Sequence, residues 1–479
     1  MTAAFARTAR WPACLRTSRR AMAACALFSL SACVTKSYER PATAASETLF
    51  RSDAPLAADR TIADLPWHAL FGDPMLRGLV SEGLERNLDL KIALTRIQAA
   101  EANLSQSRFA FAPTAQLDAQ YGTSKLPANG VVQPRRVTLA QVTASTSWEL
   151  DVWGKLRSAK RASEAQLASS WAVRRAVQTQ LVSDIAIAYY TLLAYDRQLA
   201  MTEEALRIRI EDVETVKALK EGAVVTGADV VQSEANRYAA EVALPDIKRD
   251  IRELENALSV LLGKPPHAIA RTTIEQQSSI DQLALGVPAQ LLANRPDVKA
   301  AELAFRNAFE LTNVARTYFY PALTLSGALG TASSDPSGLF GPGTLIGNLV
   351  GGLTQPLLSR GLNRQRLAVA RAQQQEALYD FQGALLRAGQ EVSDALFAHQ
   401  MALEKSEARK RQLESLGLAV EYTKALLRYT SNTNYVDVLT AEQGLLTAQI
   451  NSVNDRLQQL TAVVSLYRAL GGGWRELPE

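Results

Sequence analysis

Residues 155–221 read KLRSAKRASEAQLASSWAVRRAVQTQLVSDIAIAYYTLLAYDRQLAMTEEALRIRIEDVETVKALKE, 67 residues with neither Gly nor Pro. Those two residue types are the ones that weaken or break a helix interior, so the stretch predicts one helix ~100 Å long. Leu181, Ile185, Ala188, Leu192, Tyr195 and Leu199 alternate steps of four and three, with Arg and Glu between them. That is a heptad seam. It is thin, and a helix this long cannot bury it alone. It needs a return helix, which the segment Ala228–Leu262 supplies after a tight turn, and further subunits.

Working outward, the same plan recurs. Leu362–Arg428 has no Pro and only Gly383, Gly389 and Gly417, and Val436–Leu470 follows as its return. Asn87-Leu88-Asp89-Leu90-Lys91 is echoed by Arg295-Pro296-Asp297-Val298-Lys299. Arg108 to Pro113 is echoed by Arg316 to Pro321, Asp229-Val230 by Asp437-Val438, and Leu262-Gly263 by Leu470-Gly471. All four pairs are 208 residues apart and in the same order, which argues for a tandem duplication. Each half also opens with a moderate helix, Asp89–Phe111 and Asp297–Tyr320, closed by Pro113 and Pro321.

Between the moderate and the long helix of each half lie alternating segments. In 116–121 the polar set is Gln116, Asp118 and Gln120 and the apolar set Leu117, Ala119 and Tyr121. In 142–152 Val142, Ala144, Thr146, Trp148, Leu150 and Val152 face one way; the second half offers Leu323, Leu325, Gly327 and Leu329, then 345–357. A soluble sheet on a core and a membrane barrel both alternate in this way. Four strands cannot close a barrel, for which about eight is the practical minimum, and an open edge is not tolerated in lipid. Either the strands are soluble or several chains share one barrel. The fold class expected is therefore mostly α with a small β part: long coiled-coil hairpins, four strands and an internal tandem duplication.

The first 20 residues carry Arg7, Arg10, Arg16, Arg19 and Arg20 and no acid, followed by the apolar run Ala21–Leu30. The pattern reads as a secretory signal, 1–32. It ends in Leu30-Ser31-Ala32-Cys33, which resembles a bacterial lipobox with Cys33 as the acylated first residue of the mature chain. Removing five arginines takes the net charge from +4 to −1 (+4 − 5), so nothing suggests a nucleic-acid partner. Of Cys14, Cys25 and Cys33 only the last would remain, leaving no disulfide within the chain. No cofactor or metal is implied: His68, His267 and His399 share no ligand spacing, and there is no GxSxG, P-loop or free cysteine nucleophile. The expected class is not an enzyme.

The stretches 67–74 (WHALFGDP), 87–90 (NLDL), 148–154 (WELDVWG), 292–298 (LANRPDV) and 470–474 (LGGGW) together resemble the TolC-like outer-membrane efflux factors, in particular the NodT/OprM-type lipoprotein branch that serves RND-type multidrug pumps. The similarity runs from Cys33 to near the C-terminus. It implies a homotrimer, with four transmembrane β-strands per chain forming a trimeric 12-stranded barrel and the helices a periplasmic tunnel. It implies partners: a periplasmic adaptor (membrane fusion) protein, an inner-membrane RND-type pump, and outer-membrane lipid. Val34 after the cysteine, in place of Asp, resembles the pattern of lipoproteins sent to the outer membrane.

By that resemblance the hairpin turns dock the adaptor: Gly222, Ala223, Val224 and Gly227 in the first, and Arg428, Tyr429, Ser431, Asn432 and Thr433 in the second. Gly222 and Gly227 would permit the first reversal and Asp229 would cap the returning helix. In the second tip Asn432 would take the left-handed position. Leu426 and Leu427 stand where many relatives place a charged constriction, suggesting an apolar one. The division expected is a lipidated linker 33–66, a first repeat 67–270 (β-hairpin about 114–153, helical hairpin about 155–262) and a second 271–479 (about 321–358 and 362–470). The function implied is a passive conduit exporting drugs or other small toxic compounds. The alternatives are a channel for protein secretion and a periplasmic spacer that forms no pore.

Overall fold

The computed structural model describes residues 35–41, 51, 62–126, 135–277, 295–429 and 435–474. Along them run α1 (Trp67–Leu70), α2 (Pro74–Arg86), α3 (Leu88–Phe109), β1 (Thr114–Leu126), β2 (Arg135–Leu150), α4 (Lys155–Glu221) and α5 (Gly227–Leu261). Then come α6 (Pro296–Thr317), β3 (Ala322–Ser333), β4 (Leu345–Thr354), α7 (Leu362–Tyr429) and α8 (Tyr435–Ala469). The mostly helical, duplicated architecture with four strands is the one expected. Helix α4 coincides with the Gly- and Pro-free run of 67 residues, and α7 has 68.

The moderate helices stop earlier than the sequence suggested. Beyond α3, Phe111 N donates to Arg108 O and Ala112 N to Phe109 O; beyond α6, Phe319 N donates to Arg316 O and Tyr320 N to Thr317 O. These are tighter, three-residue turns, and the proline that follows keeps the residue before it out of helical geometry. Likewise β2 ends at Leu150 and β4 at Thr354, short of Val152 and Leu357. Past β4 comes Pro356, which has no N–H for a ladder.

The chain forms two compact units, each drawing on both sequence halves. One comprises Met1–Pro41, Gln98–Ser169 and Glu302–Asp380. Its sheet is antiparallel throughout, in the order β1-β2-β3-β4. The corner from strand to helix is built by the 148–154 motif. Trp148 Nε1 donates to Phe111 O (2.9 Å) and Trp153 Nε1 to Pro321 O (2.7 Å). The Asp151 carboxylate accepts from Leu156 N (2.9 Å) and Arg157 N (3.1 Å), satisfying orphan amides at the start of α4.

The other unit comprises Ala42–Ile97, Ser170–Ala301 and Phe381–Glu479. Its core joins Leu181, Ile185, Tyr189 and Leu192 of α4 to Phe381 and Val392 of α7, Leu258 of α5 and Leu466 of α8. The heptad reading was too narrow. Val182, Ala186 and Leu193 are also buried, so α4 is covered on more than one face, while Tyr195 is only half-buried.

Both halves close by one device. Asn87 Nδ2 donates to Leu261 O, the last carbonyl of α5, at 2.9 Å. Its duplicate Arg295 donates through Nη1 to Ala469 O, the last carbonyl of α8, also at 2.9 Å. Both bonds span 174 residues. Each return helix then ends in the same reversal. Gly263 N donates to Val260 O and Lys264 N to Ser259 O; Gly471 N donates to Arg468 O and Gly472 N to Tyr467 O. Gly263 (φ 67°) and Gly471 (φ 83°) take the left-handed position that this Schellman pattern requires.

Candidate functional site

The sheet's register sorts its residues by face. Partners across an antiparallel ladder share a face. Leu117 pairs with Ala144, Tyr121 with Ala140, Ala144 with Leu329, Trp148 with Leu325, Gly327 with Leu349 and Leu323 with Leu353. One face thus collects most of the large apolar side chains of the four strands, Leu139, Ile346 and Val350 excepted, and between the levels of Tyr121 and Trp148 it carries no charge. Much of it is bare in the single chain, where Leu117 is 74% exposed and Leu349 74%, although Ala140 is buried. The opposite face holds Gln116, Asp118, Thr143, Ser145 and Ser147. There Gln116 Nε2 donates to Asp118 Oδ1 (2.8 Å) and Gln141 Nε2 to Thr143 Oγ1 (2.7 Å).

The first hairpin tip is built differently from expectation. Helix α4 ends in the same Schellman pattern as the return helices, with Ala223 N donating to Lys220 O and Val224 N to Leu219 O. The left-handed residue is Ala223 (φ 56°), not Gly222. Asp229 is not the cap itself. Thr226 stands before α5, and its backbone N and its hydroxyl both donate to Asp229 Oδ2 at 2.7 Å. These bonds hold the Asp229 carboxyl below its usual range. A Thr-x-x-Asp pattern ahead of a helix was the available signal.

Of the apolar turn residues Ala223-Val224-Val225, Val224 projects at 69% exposure, whereas Val225 packs inward. Val225 and Leu427 lie against a small cluster of Val216, Val230, Tyr435 and Leu439, which ties the two hairpins together. So the expected constriction pair divides: Leu427 is half-buried in that cluster and Leu426 is exposed. Beside the cluster the Tyr435 hydroxyl bonds Asp212. Burial, then the like charge of Glu442, pushes the Asp212 carboxyl up. A cleft of about 810 Å³ between α4 and α8 continues from there, lined by Arg209, Asp212, Glu442, Leu446 and Arg456 among others. Sequence reading missed it, because its walls are two segments over 200 residues apart.

Ser431, Asn432 and Thr433 lie outside the described residues, as does Cys33, and so do the side chains of Arg428 and Tyr429. Among the described residues no group of His, Cys, Asp or Glu could hold a metal ion, and no helix is long and apolar enough to cross a membrane.

The remaining resemblance motifs are structural. Asp73 precedes α2 and accepts from Met75 N (2.8 Å), Tyr189 OH (2.7 Å), Gln277 Nε2 (2.8 Å) and Thr272. Burial pushes its carboxyl up, but these donors outweigh burial and leave it below the usual range. In 471–474, Gln178 Nε2 donates to Gly473 O (3.3 Å) and Arg175 stacks on Trp474 (4.6 Å).

Comparison with known proteins agrees with this geometry. The family model for outer membrane efflux proteins matches the chain twice, over residues 79–264 and 287–472, a displacement of 208 (287 − 79). The toluene efflux pump outer membrane protein TtgF of Pseudomonas putida is 30% identical over 416 residues, covering 86% of each chain. The outer membrane protein OprJ of Pseudomonas aeruginosa is 30% identical over 94% of each. Among solved structures, the outer-membrane channel OprN superposes with a TM-score of 0.85 at 24% identity, over 92% of this chain and 100% of its own, a likeness of fold.

Proposed function

Since the chain belongs to the outer membrane efflux protein family, we propose that it acts as the passive outer-membrane conduit of a tripartite efflux system, sharing one barrel among three copies. The observation that carries this is the sheet. Its uncharged apolar face spans nine residues of β2, from Ala140 to Trp148, which is eight steps along the strand. That is ~27 Å along the strand and ~21 Å of height at a ~40° tilt, close to the ~25 Å apolar band of an outer-membrane barrel. Four strands with two open edges cannot stand in lipid alone, and three copies give twelve. The polar face, with Gln116, Asp118, Thr143 and Ser145, would line the lumen. Such a lining discriminates poorly, so substrate choice belongs to the pump. Purified protein in a planar bilayer should form discrete conducting steps; a chain that never conducts would defeat the channel reading. A deletion strain should become susceptible to small toxic compounds while still secreting its proteins.

The adaptor docks at the hairpin tips in this reading, which Val224, projecting at the turn, supports. Val224→Glu should abolish efflux without lowering trimer yield; resistance surviving such changes at both tips would place docking elsewhere. Acylation of Cys33 is supported by the residues that follow it. Lys36 N donates to Asn313 Oδ1 (3.1 Å) while Asn313 Nδ2 donates to Lys36 O (2.9 Å). Tyr38 packs on Phe305 and Phe309, and Arg40 pairs with Glu302 (3.2 Å). This strap holds the segment after Cys33 on the sheet-bearing unit, where a lipid would serve. Cys33→Ser should lose incorporation of labelled palmitate.

A further inference from the structure

The duplication allows one step more, resting on the shared-barrel reading. Strands β1 and β3 are duplicates 208 residues apart, whereas β2 and β4 are 207 apart: Thr114 pairs with Ser147, and Ala322 with Thr354 (322 − 114 = 208; 354 − 147 = 207). The glycines opening the two long helices agree. Gly154 and Gly361 both have φ 79° and lie 207 apart (361 − 154). The seam between the halves, β2 against β3, is therefore a template for the seam between one copy and the next, β4 against β1.

We infer that β4 of one copy pairs antiparallel with β1 of a neighbouring copy in one register, from Asp118 opposite Thr354 to Lys125 opposite Gly347, and that Gly122 is glycine because this seam closes over it. The in-chain pairs Ser147 with Ser326 and Ala140 with Ser333 map onto those two limits. The register passes a check that was not built into it. It sets Tyr121 opposite Gly351 and Ala119 opposite Leu353, apolar face to apolar face. A uniform shift of 208 would slip the pairing by one residue and turn every side chain of the neighbour to the wrong side.

The glycine follows from the same operation. Gly330 pairs with Thr143, and a Cβ on Gly330 would run into the Val142 carbonyl oxygen and lie 2.7 Å from Thr143 Cα. Its duplicate is Gly122 (330 − 208). In the single chain a Cβ on Gly122 meets nothing within 4 Å. In the ring it would meet Leu349 and Val350 of the neighbour, as Gly330 meets Val142 and Thr143.

The helices repeat the pattern. Within the chain, α6 lies on the start of α4 through Glu310 to Arg161 (2.9 Å) and Asn307 Nδ2 to Ala162 O (2.8 Å). The duplicates are Ala102 against Ala368 and Ala99 against Val369, all four exposed in the single chain. A polar contact inside the chain becomes a contact of small apolar side chains between copies.

The test uses the full-length protein, whose natural cysteines all lie at or before position 33. Under oxidation, Gln120→Cys with Gly352→Cys should give disulfide-linked trimers, at least about tenfold more than Gln120→Cys with Val350→Cys, which the register places two residues out. Linkage by the second pair alone, or by neither while sedimentation still shows trimers, overturns the register but leaves the shared barrel. Linkage by neither in a protein that sediments as a monomer overturns the shared barrel itself. Gly122→Val should lower trimer yield at least about tenfold while Thr123→Val, next to it on the other face, does not; trimers of Gly122→Val at the parent level would remove the glycine's role.

Discussion

Asn87 and Arg295 occupy duplicate positions and make the same bond, a side-chain donor reaching the last carbonyl of a return helix. Their surroundings differ. Asn87 is neutral and also accepts from Asp89 N (2.9 Å) and Leu90 N (3.1 Å), capping its own helix. Arg295 is buried and also bonds Asp297 (2.7 Å) and Glu391 (2.8 Å). What the duplicates share is the bond and its place, not the residue that makes it. The first half closes with a cap and the second with an ionic cluster, so they should respond differently to mutation and to acid.

The largest effect is expected at the ionic closure. Arg295→Ala should cost roughly 3 kcal/mol, the low end for breaking a buried pair, because both carboxylates keep contact with water. Burial raises the Asp297 carboxyl, but the bond and charge of Arg295, together with the backbone amides of Val298 and Asp297, outweigh burial and hold it below the usual range. A depressed carboxyl contributes stability that is present above about pH 4 and lost as pH falls through its folded value. Arg295→Ala should flatten that part of the acid profile, read by helical circular dichroism in detergent. Next comes Gly263→Ala, at roughly 2 kcal/mol. Its Cβ would sit 2.7 Å from the Arg86 carbonyl oxygen, which cannot move aside. Gly471→Ala meets Arg295 at 3.2 Å instead and should cost only about 1 kcal/mol.

Asn87→Ala should lose about 1 kcal/mol, an ordinary cap, with no change in acid sensitivity. Equal acid profiles for the Asn87 and Arg295 variants would erase the contrast. The smallest effect has the opposite sign. Ala223 sits in the left-handed position that glycine fills at both return-helix ends, so Ala223→Gly should stabilise the first tip by up to about 1 kcal/mol. Slower hydrogen exchange over 215–225 would show it.

The helices were legible because Gly and Pro are punctuation that acts locally. The lack of both from Lys155 to Glu221 was enough to bound α4. The apolar and polar faces of the strands were legible for the same reason, since alternation is a local property. The closure by Asn87 and Arg295 was not: both stood out as landmarks, but their bonds reach 174 residues away. The tip misled for another reason. Gly222 and Gly227 read as the residues that permit the reversal, and its hydrogen bonds put the left-handed position between them, at Ala223, where an alanine bears the strain. That Leu427 leans on Tyr435 and Leu439 was likewise hidden, because the chain shows only that it is apolar.

The single extra residue of α7, 68 against 67 in α4, has a further effect. The strand side of the second half is one residue short, and by the return helices the displacement is again 208 (435 − 227). A residue added to a helix turns everything beyond it by about 100° and advances it about 1.5 Å. The second hairpin is thus a rephased copy of the first, like two gear wheels cut with different tooth counts. Around a closed ring of copies the two kinds of tip would alternate, so the ring would repeat once per copy and not once per hairpin.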